Sequence, residues 1–517
     1  MTLIRLSAAA LAFLAAAAPA RAQSSMIPLK VVDTAYMDTT AKACTDFNKF
    51  ANGRWLAHDT IPAAYSSTGV GRDMTDRNQL VVRSVLDDVM AKRATFPAGS
   101  TQRKLGTFYA TCMDSAATER AGLTPVRAEL AAAGAISTRA QLLDEVAALQ
   151  SSGHNVLFRY FPSVDAHDPA HYIATLWQGG LGLPDRDYYT RTGAGADSVR
   201  QKYLAHIAKL LTLSGEPAAA AQSDAQLVFD LEKKLAEASL SRVAMRDPAA
   251  TDHPTTEQQL AAMAPHVNWA SYFHNAGVDH AVRTVNVGQP AFIARADSLV
   301  ATEPIASWKA YLRYHVLSSA SPWLSTPYVN ESFAFSSTFS GAKELLPRWK
   351  RCLNETDNQM GEALGEAYVA KTFPPEAKRR AKQVIDDIRT AFAARLKNLT
   401  WMSDSTKVRA LDKLAKMHEK VGYPDTWRDY SKLDVRDGAF VLNDLRANEF
   451  EWKRTANRPG EAVDATEWEM SVPTVNAYYN PTKNEMVFPA GALSPQTFDP
   501  KADDGANYGA LGGSWAG

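Results

Sequence analysis

The chain has 517 residues, in which 56 Lys and Arg side chains balance 56 Asp and Glu side chains and 46% of the residues are hydrophobic. This length exceeds that of one ordinary domain, so we expect two or more domains. The neutral charge balance argues against nucleic acid as a partner, and 22% charged residues with 9% aromatic residues is unlike the composition of a disordered chain.

The first predicted element is an export signal. Arg5 precedes an apolar run over 6–18, and Ala-Arg-Ala at 20–22 fits the small-x-small site of signal peptidase. We therefore predict that residues 1–22 are a signal peptide, cleaved after about Ala22, and that the protein is secreted or periplasmic. The apolar run is shorter than the roughly 20 residues of a membrane-spanning helix, and no later stretch qualifies, so no membrane span is expected after signal removal.

Export makes the three cysteines, Cys44, Cys112 and Cys352, informative, because thiols pair in an oxidising compartment. Three is an odd number, so at least one cysteine is free, bonded to another chain or without its partner. The residues alone do not say which pair forms.

The central part of the chain is predicted to be mainly helical. Asp76 is suited to cap a helix whose apolar residues recur at three-and-four spacing. Further amphipathic segments span about 125–150, 198–213 and 222–240. The apolar residues of the first of these helices are Leu80, Val81, Val85, Leu86, Val89 and Met90.

Two further helices are predicted near residue 400 from their end signals. The proline pair at 374–375 is suited to start the first helix, and Ser403 offers an N-cap side chain to the second. We expect the second helix to continue to Val421 and to stop at Gly422. His418 would then lie in its last turn, and the Glu-Lys-Val-Gly that follows lacks the second histidine of a zinc-protease motif.

Downstream the pattern changes to short extended runs. The runs 474–479 and 485–488 flank Asn-Pro-Thr-Lys-Asn at 480–484, which predicts a β-hairpin with a turn longer than the tightest type. No pattern predicts a serine nucleophile, a phosphate-binding loop or a set of metal-binding histidines. We therefore assign no catalytic residue and no metal ligand.

Three stretches near the end of the chain, at 475–481, 484–491 and 507–509, read Val-Asn-Ala-Tyr-Tyr-Asn-Pro, Asn-Glu-Met-Val-Phe-Pro-Ala-Gly and Asn-Tyr-Gly. Together they closely resemble the neprilysin and endothelin-converting-enzyme family of zinc metalloendopeptidases. The likeness covers nearly all of residues 44 to 509, because further landmarks occur in the family's order at 44–47, 53–55, 108–114, 178–189, 348–352 and 421–427.

The resemblance implies a mainly α-helical fold with a small β component and two lobes around a large internal cavity that admits peptides. We expect residues 44–75 to be an N-terminal segment that contributes to the catalytic lobe. Residues 76–375 would form the mainly helical lobe, and residues 376–517 the start of an incomplete catalytic lobe.

The resemblance also places Asn476 and Ala477 on an edge strand that holds the substrate backbone. An exposed strand edge binds an extended peptide by main-chain hydrogen bonds, and an Asn side chain both donates and accepts. The expected partners are therefore peptide substrates. An ordinary buried hairpin would explain the same apolar residues, and the oligomeric state is left open.

In the family, the counterparts of Cys112 and Cys352 pair, whereas the counterpart of Cys44 pairs with a cysteine near the C-terminal end. The resemblance therefore implies a Cys112–Cys352 disulfide and an unpaired Cys44.

The zinc site of the family follows its Asn-Tyr-Gly element, as a His-Glu-x-x-His helix and a later Glu. This chain reads Asn-Tyr-Gly-Ala-Leu-Gly-Gly-Ser-Trp-Ala-Gly over 507–517 and contains no such motif. A zinc hydrolase needs three protein ligands and a general base. We therefore expect that the family's zinc does not bind a catalytic site in this chain and that the chain as given is inactive.

Two accounts follow from the resemblance. In the first, the sequence is a truncated or frame-shifted version of a secreted zinc metalloendopeptidase that hydrolyses peptide bonds. In the second, it is a non-catalytic secreted peptide-binding module that retains the strand of Asn476 and Ala477. We favour the first, because stopping at residue 517 leaves Cys44 without a partner and the strand edge uncovered.

Overall fold

The computed structural model describes residue 30, residues 32–280 and residues 282–516. The predicted signal peptide, residues 1–22, lies outside the described residues. Helices predominate, which confirms the predicted mainly α-helical fold. Within the described part of the chain, no helix is both long enough and apolar enough to cross a membrane.

The helices are accompanied by two small sheets. The α-helices are α1 (Phe47–His58), α2 (Val70–Lys92), α3 (Thr101–Met113), α4 (Ser115–Ala121), α5 (Arg127–Ala135), α6 (Arg139–Ser151), α7 (Asp187–Thr190), α8 (Ala194–Leu213), α9 (Ala218–Ala238), α10 (Glu257–Met263), α11 (Trp269–Asn275), α12 (Pro290–Thr302), α13 (Ile305–Ala320), α14 (Thr326–Ser340), α15 (Arg348–Thr372), α16 (Pro375–Lys397), α17 (Asp404–Ala415), α18 (Phe440–Thr455) and α19 (Asp504–Ala516). The strands are β1 (Phe158–Val164), β2 (Tyr172–Gln178), β3 (Pro254–Thr256), β4 (Thr284–Val287), β5 (His418–Gly422), β6 (Tyr478–Asn480) and β7 (Glu485–Pro489).

The first core is the buried apolar cluster that runs from Val126 to Tyr328 and includes Val441 of α18 and Ala456, which directly follows that helix. Its helices surround a four-stranded sheet of order β1-β2-β4-β3. In this sheet β1 is antiparallel to β2, β2 is parallel to β4, and β3 is antiparallel to β4. Strand β1 therefore lies at an edge of the sheet.

The second core joins two distant parts of the chain, the buried residues from Val82 to Cys112 and from Cys352 to Leu511. A disulfide connects Cys112 on α3 to Cys352 on α15, and both cysteines are fully buried in this core. Cys44 is exposed and outside any disulfide. The bridge therefore ties α3 to α15 across 240 residues of sequence.

The predicted lobe boundaries stay a prediction. The predicted helical lobe, 76–375, supplies residues to both cores, because parts of α2, α3 and α15 pack into the second core. Helix α18 supplies residues to both cores as well, so it lies where the two cores meet.

Three helix starts test the sequence predictions. Helix α16 begins at Pro375, and the Ser403 hydroxyl accepts a hydrogen bond from the Thr406 amide at the start of α17, as predicted. Helix α2, however, begins at Val70 rather than after Asp76. The prediction was wrong because Asp76 lies inside α2, where its side chain does not cap the helix.

Asp76 instead makes tertiary contacts. Its carboxylate accepts hydrogen bonds from the Tyr65 hydroxyl at 2.9 Å and from the Lys350 ammonium group at 2.6 Å. The side chain therefore links α2 to α15 and to the segment before α2.

The predicted end of the helix after Ser403 was wrong. Helix α17 ends at Ala415, and His418 begins strand β5, which pairs in parallel with β7. His418 is therefore not in a last helical turn. Pairing with β7 and burial of Val421 in the second core override the helical pattern of the sequence.

The predicted hairpin is confirmed as β6 and β7, which pair antiparallel. The first strand is shorter than predicted, since it begins at Tyr478. The three-stranded sheet has the order β5-β7-β6, so β6 lies at its edge.

Candidate functional site

The predicted substrate-binding residues lie just before the edge strand β6 rather than on it, because pairing with β7 begins only at Tyr478. Asn476 is exposed and Ala477 is half-buried, and both immediately precede Tyr478, the first residue of the strand. The Asn476 carboxamide oxygen accepts a hydrogen bond from the Ala477 amide at 2.9 Å. The residues are therefore placed next to a strand edge that can pair with an extended peptide.

The chain that leads into this edge, residues 471–477, is here called the approach segment. The Asn78 side chain of α2 donates to the Pro473 carbonyl at 2.6 Å and accepts from the Tyr368 hydroxyl at 2.7 Å. The Gly491 amide donates to the Val472 carbonyl at 2.9 Å. Distant elements of the second core thus fix the backbone just before Asn476.

Two glycines of α15 let the approach segment pack closely on that helix. A Cβ atom at Gly361 would lie 2.8 Å from Cβ of Ser471, and one at Gly365 would lie 2.9 Å from Cβ of Val472. Both distances are shorter than side-chain carbons tolerate, so glycine is required here unless the segment moves.

A largely buried carboxyl group also contacts the approach segment. The Ser471 hydroxyl donates to Asp357 Oδ2 at 2.8 Å and lies 2.8 Å from the Thr474 hydroxyl. In the described structure Asp357 Oδ1 is buried without a hydrogen-bond partner. Burial raises the pKa of Asp357 to about 6, although the Ser471 hydrogen bond acts to lower it.

A cavity of about 570 Å³ lies between the two sheets. Its walls include Phe161–Val164 of β1 on one side and Asn480, Thr482 and Lys483 of the hairpin on the other. An adjacent cavity of about 1050 Å³ shares Arg428, Arg454 and Glu467 with it. Space for a peptide therefore adjoins the edge strands of both sheets.

Paired charges line the junction of these two cavities. Glu467 accepts from Arg454 at 2.7 Å and from Arg458 at 2.6 Å, and Arg428 lies 3.7 Å away. Burial alone would raise the pKa of Glu467, but the Arg458 hydrogen bond and the charges of both arginines outweigh it and lower the pKa to about 2. The glutamate is therefore ionised at neutral pH and holds the arginines in place.

The sequence did not identify this network. Glu451 and Arg454 stand three residues apart on α18, a spacing typical of a solvated helix face. Their meeting with Arg428 and Glu467 depends on loops that bring separate segments together. Only the tertiary structure reveals it.

A catalytic zinc ion needs three converging protein ligands. In residues 30, 32–280 and 282–516, no three His, Cys, Asp or Glu side chains converge so that they could hold a metal ion. The described residues therefore do not fit a catalytic zinc ion. We derive no chemical step through one.

Comparison with known proteins identifies the family. The models of peptidase family M13 match residues 43–424 and residues 476–516. Neprilysin-3 of Drosophila melanogaster is 29% identical to the chain, over 92% of the chain and 64% of that protein. Endothelin-converting enzyme 1 of Bos taurus is 28% identical, over 92% of the chain and 65% of that protein.

A solved structure gives the same result. The zinc metalloprotease ZMP1 of Mycobacterium tuberculosis, in complex with an inhibitor, superposes with a TM-score of 0.86 at 34% identity. The match covers 94% of this chain and 73% of that one. The chain spans less than two thirds of the length of the two curated relatives. On its family-model matches, its relatives and its fold, the chain belongs to peptidase family M13.

Proposed function

We propose that the chain supplies the peptide-binding strand of a zinc-dependent endopeptidase. An extended peptide pairs with the edge at β6, and Asn476 and Ala477 hold its backbone. The observation that carries this proposal is the fixed approach segment, which presents an exposed Asn beside an edge strand and a cavity. The family membership supports the substrate class.

We also propose that the 517-residue chain binds peptides without cleaving them. The sequence contains no His-Glu-x-x-His, and the described residues offer no converging set of metal ligands. The second candidate function, a secreted peptide-binding module, rests on the same strand edge. Under this second candidate, the protein binds peptides in the organism and takes no part in their hydrolysis.

The test is peptide binding by the purified chain, followed by fluorescence anisotropy of a short labelled peptide. A second peptide, N-methylated at consecutive backbone amides, has no free amide on either of its edges and should bind about tenfold more weakly. Asn476→Ala should weaken binding of the unmodified peptide. Asn398→Ala, an exposed substitution on the distant end of α16, is the matched control.

Equal binding of the two peptides would overturn strand pairing. Mass spectrometry of the peptide after incubation with zinc tests hydrolysis. Cleavage that a chelator abolishes would contradict the proposed lack of hydrolysis and would leave the peptide-binding assignment intact.

Export is part of the proposal. The predicted signal peptide and the disulfide both suit a secreted or periplasmic protein, because disulfides persist in oxidising compartments. The N-terminal sequence of the exported protein tests it. A mature chain that still begins at Met1 would contradict it.

A further inference from the structure

A separate cavity of about 640 Å³ lies at the surface of the first core, where β1 begins and β2 ends. We call it the arginine cavity. Two indole rings, of Trp177 and Trp452, line it together with three guanidinium groups. These belong to Arg159, Arg186 and Arg242. Aromatic surface beside several cationic groups is suited to an anionic group carried on an apolar or peptide chain.

Acidic side chains do not balance these arginines. Asp185 is the carboxylate on the wall, and its Oδ2 lies 3.1 Å from Arg242 Nε. Arg159 is exposed, and its guanidinium carbon lies 5.6 Å from the centre of the Phe161 ring. Within the described part of the chain, no carboxylate pairs with Arg159. The wall therefore keeps a net positive charge.

Arg186 has a hydrogen-bond donor without a partner among the described residues. One of its terminal nitrogens donates to the Ser239 carbonyl at 2.9 Å, which fixes the side chain. Its Nε is buried and has no hydrogen-bond partner among the described residues. The two remaining titratable groups on the wall already have partners. One ring nitrogen of His154 lies 2.5 Å from the Ser319 hydroxyl. The Tyr160 hydroxyl donates to the Ala456 carbonyl at 2.6 Å. An acceptor that reaches Arg186 Nε would satisfy a buried donor.

The cavity is fixed by contacts within the first core. The Gln178 side chain accepts from the Leu240 amide at 2.7 Å and donates to the Leu240 carbonyl at 3.1 Å. This links the end of β2 to the segment that carries Arg242. A Cβ atom at Gly179 would lie 2.9 Å from Cγ of Arg159, so the backbone packs directly on that side chain. A preformed site loses less entropy on binding.

The arginine cavity adjoins the cavity of the candidate peptide site. Strand β1 lines the first with Phe158–Tyr160 and the second with Phe161–Val164. Helix α18 lines the first with Trp452 and the second with Glu451 and Thr455. Four residues of strand cover about 13 Å. A ligand in one cavity is therefore within a few extended residues of a ligand in the other.

We propose that the arginine cavity binds a carboxylate group of the peptide that the edge strand β6 holds. The inference rests on the proposed peptide binding and adds a substrate class, peptides with an acidic group several residues from the strand-bound part. The planar guanidinium groups of Arg159 and Arg186 suit the two oxygens of a carboxylate. An acidic side chain and a free C-terminus offer the same chemistry.

The experiment uses one labelled peptide in four forms, with Glu or Gln at the test position and with a free or amidated C-terminus. Anisotropy gives the affinity of the full chain for each form. We expect at least one carboxylate to tighten binding by about tenfold, and added salt to reduce this preference. The form that binds best identifies the source of the carboxylate.

Arg159→Gln should bring the affinity ratio of the acidic and neutral forms close to one. Arg159 is exposed, so this change should not prevent folding. Arg191→Gln is the matched control, because Arg191 is an exposed arginine paired with Asp187 on α7 and is not on the wall. It should leave the ratio unchanged.

Equal affinity for all four forms would overturn the inference, as would a preference that survives Arg159→Gln. Asn476→Ala separates this failure from that of the proposed function. If that variant weakens every form while the forms bind equally, the strand assignment stands and the arginine cavity does not. If no form binds at all, both fail.

Discussion

The two cores of the molecule are assembled in different ways. The first core is nearly one continuous stretch, from Val126 to Tyr328. The second core joins residues before Cys112 to residues after Cys352 and carries the approach segment and the edge strand β6. The first core can therefore form from contacts within one stretch, whereas the candidate site exists only after a long loop has closed.

The first core also contains a buried network of polar groups. In the first core, the fully buried carboxylate of Glu232 accepts hydrogen bonds from the hydroxyl groups of Tyr189 at 2.6 Å and Tyr203 at 2.7 Å. His315 lies 2.9 Å from its other oxygen. Burial, with the charge of Glu232, raises the pKa of both tyrosines well above its usual value. A satisfied network of this kind fixes one packing arrangement.

The largest expected effect comes from breaking that network. Glu232→Ala leaves two tyrosine hydroxyls and His315 without their acceptor and opens a cavity, so we expect a loss of about 3–5 kcal/mol in the free energy of unfolding. Urea denaturation measures it. Glu237→Ala, exposed on the same helix α9, should change the free energy by less than about 0.5 kcal/mol. A similar loss in both variants would contradict the role of the network.

Removal of the disulfide tests whether the first core folds on its own. In the unfolded chain the bridge closes a loop of 240 residues, and its loss should cost about 2–5 kcal/mol. If the first core stays folded when the second opens, the effective loop is shorter and the cost lies at the low end of that range. The double variant Cys112→Ser, Cys352→Ser, followed by hydrogen exchange, measures the cost for each core.

Hydrogen exchange should increase first in the second core. Cys44→Ser removes the exposed free cysteine and serves as the control, with little change expected. Equal loss of protection in both cores would show that the two unfold as one unit and would remove the proposed difference in their assembly.

A smaller change tests how the second core fixes the approach segment. A Cβ atom at Gly491 would overlap the Pro473 carbonyl oxygen, so Gly491→Ala must displace the segment. We expect a cost of about 1–3 kcal/mol in stability together with weaker peptide binding. Gly71→Ala is the control, because no atom lies within 4 Å of its added Cβ in α2 and the helix should gain up to about 1 kcal/mol. Unchanged peptide affinity in Gly491→Ala would show that the position of the approach segment does not affect peptide binding.

Much of the fold was accessible from local sequence signals. The start at Pro375, the cap at Ser403 and the hairpin follow from backbone preferences that act over a few residues. Strand β5 was missed because its pairing partner lies 67 residues further along the chain, and the second core was missed because its halves are more distant still. For the site, the family resemblance supplied Asn476 and Ala477, while Asp357 and the arginine network around Glu467 are defined only by tertiary contacts.

The next expected effect, of similar size, is a pH dependence at Asp357. Its pKa in the folded chain, about 6, lies above the usual value of 3.8, so the folded state binds more protons than the unfolded state between these pH values. This group therefore stabilises the fold most below about pH 4 and loses that contribution as the pH rises through about 6. Asp357→Asn should remove this dependence.

Relative to the parent, Asp357→Asn should gain about 2–3 kcal/mol in the free energy of unfolding between acidic and neutral pH. Urea denaturation across this range measures the difference, and Asp412→Asn, exposed on α17, tests for a general effect of removing a carboxylate. A constant difference would mean that the Ser471 hydroxyl keeps Asp357 ionised in the folded chain. The carboxylate would then hold the approach segment as a fixed charge, and its contact with Ser471 would be strongest at neutral pH rather than in acid.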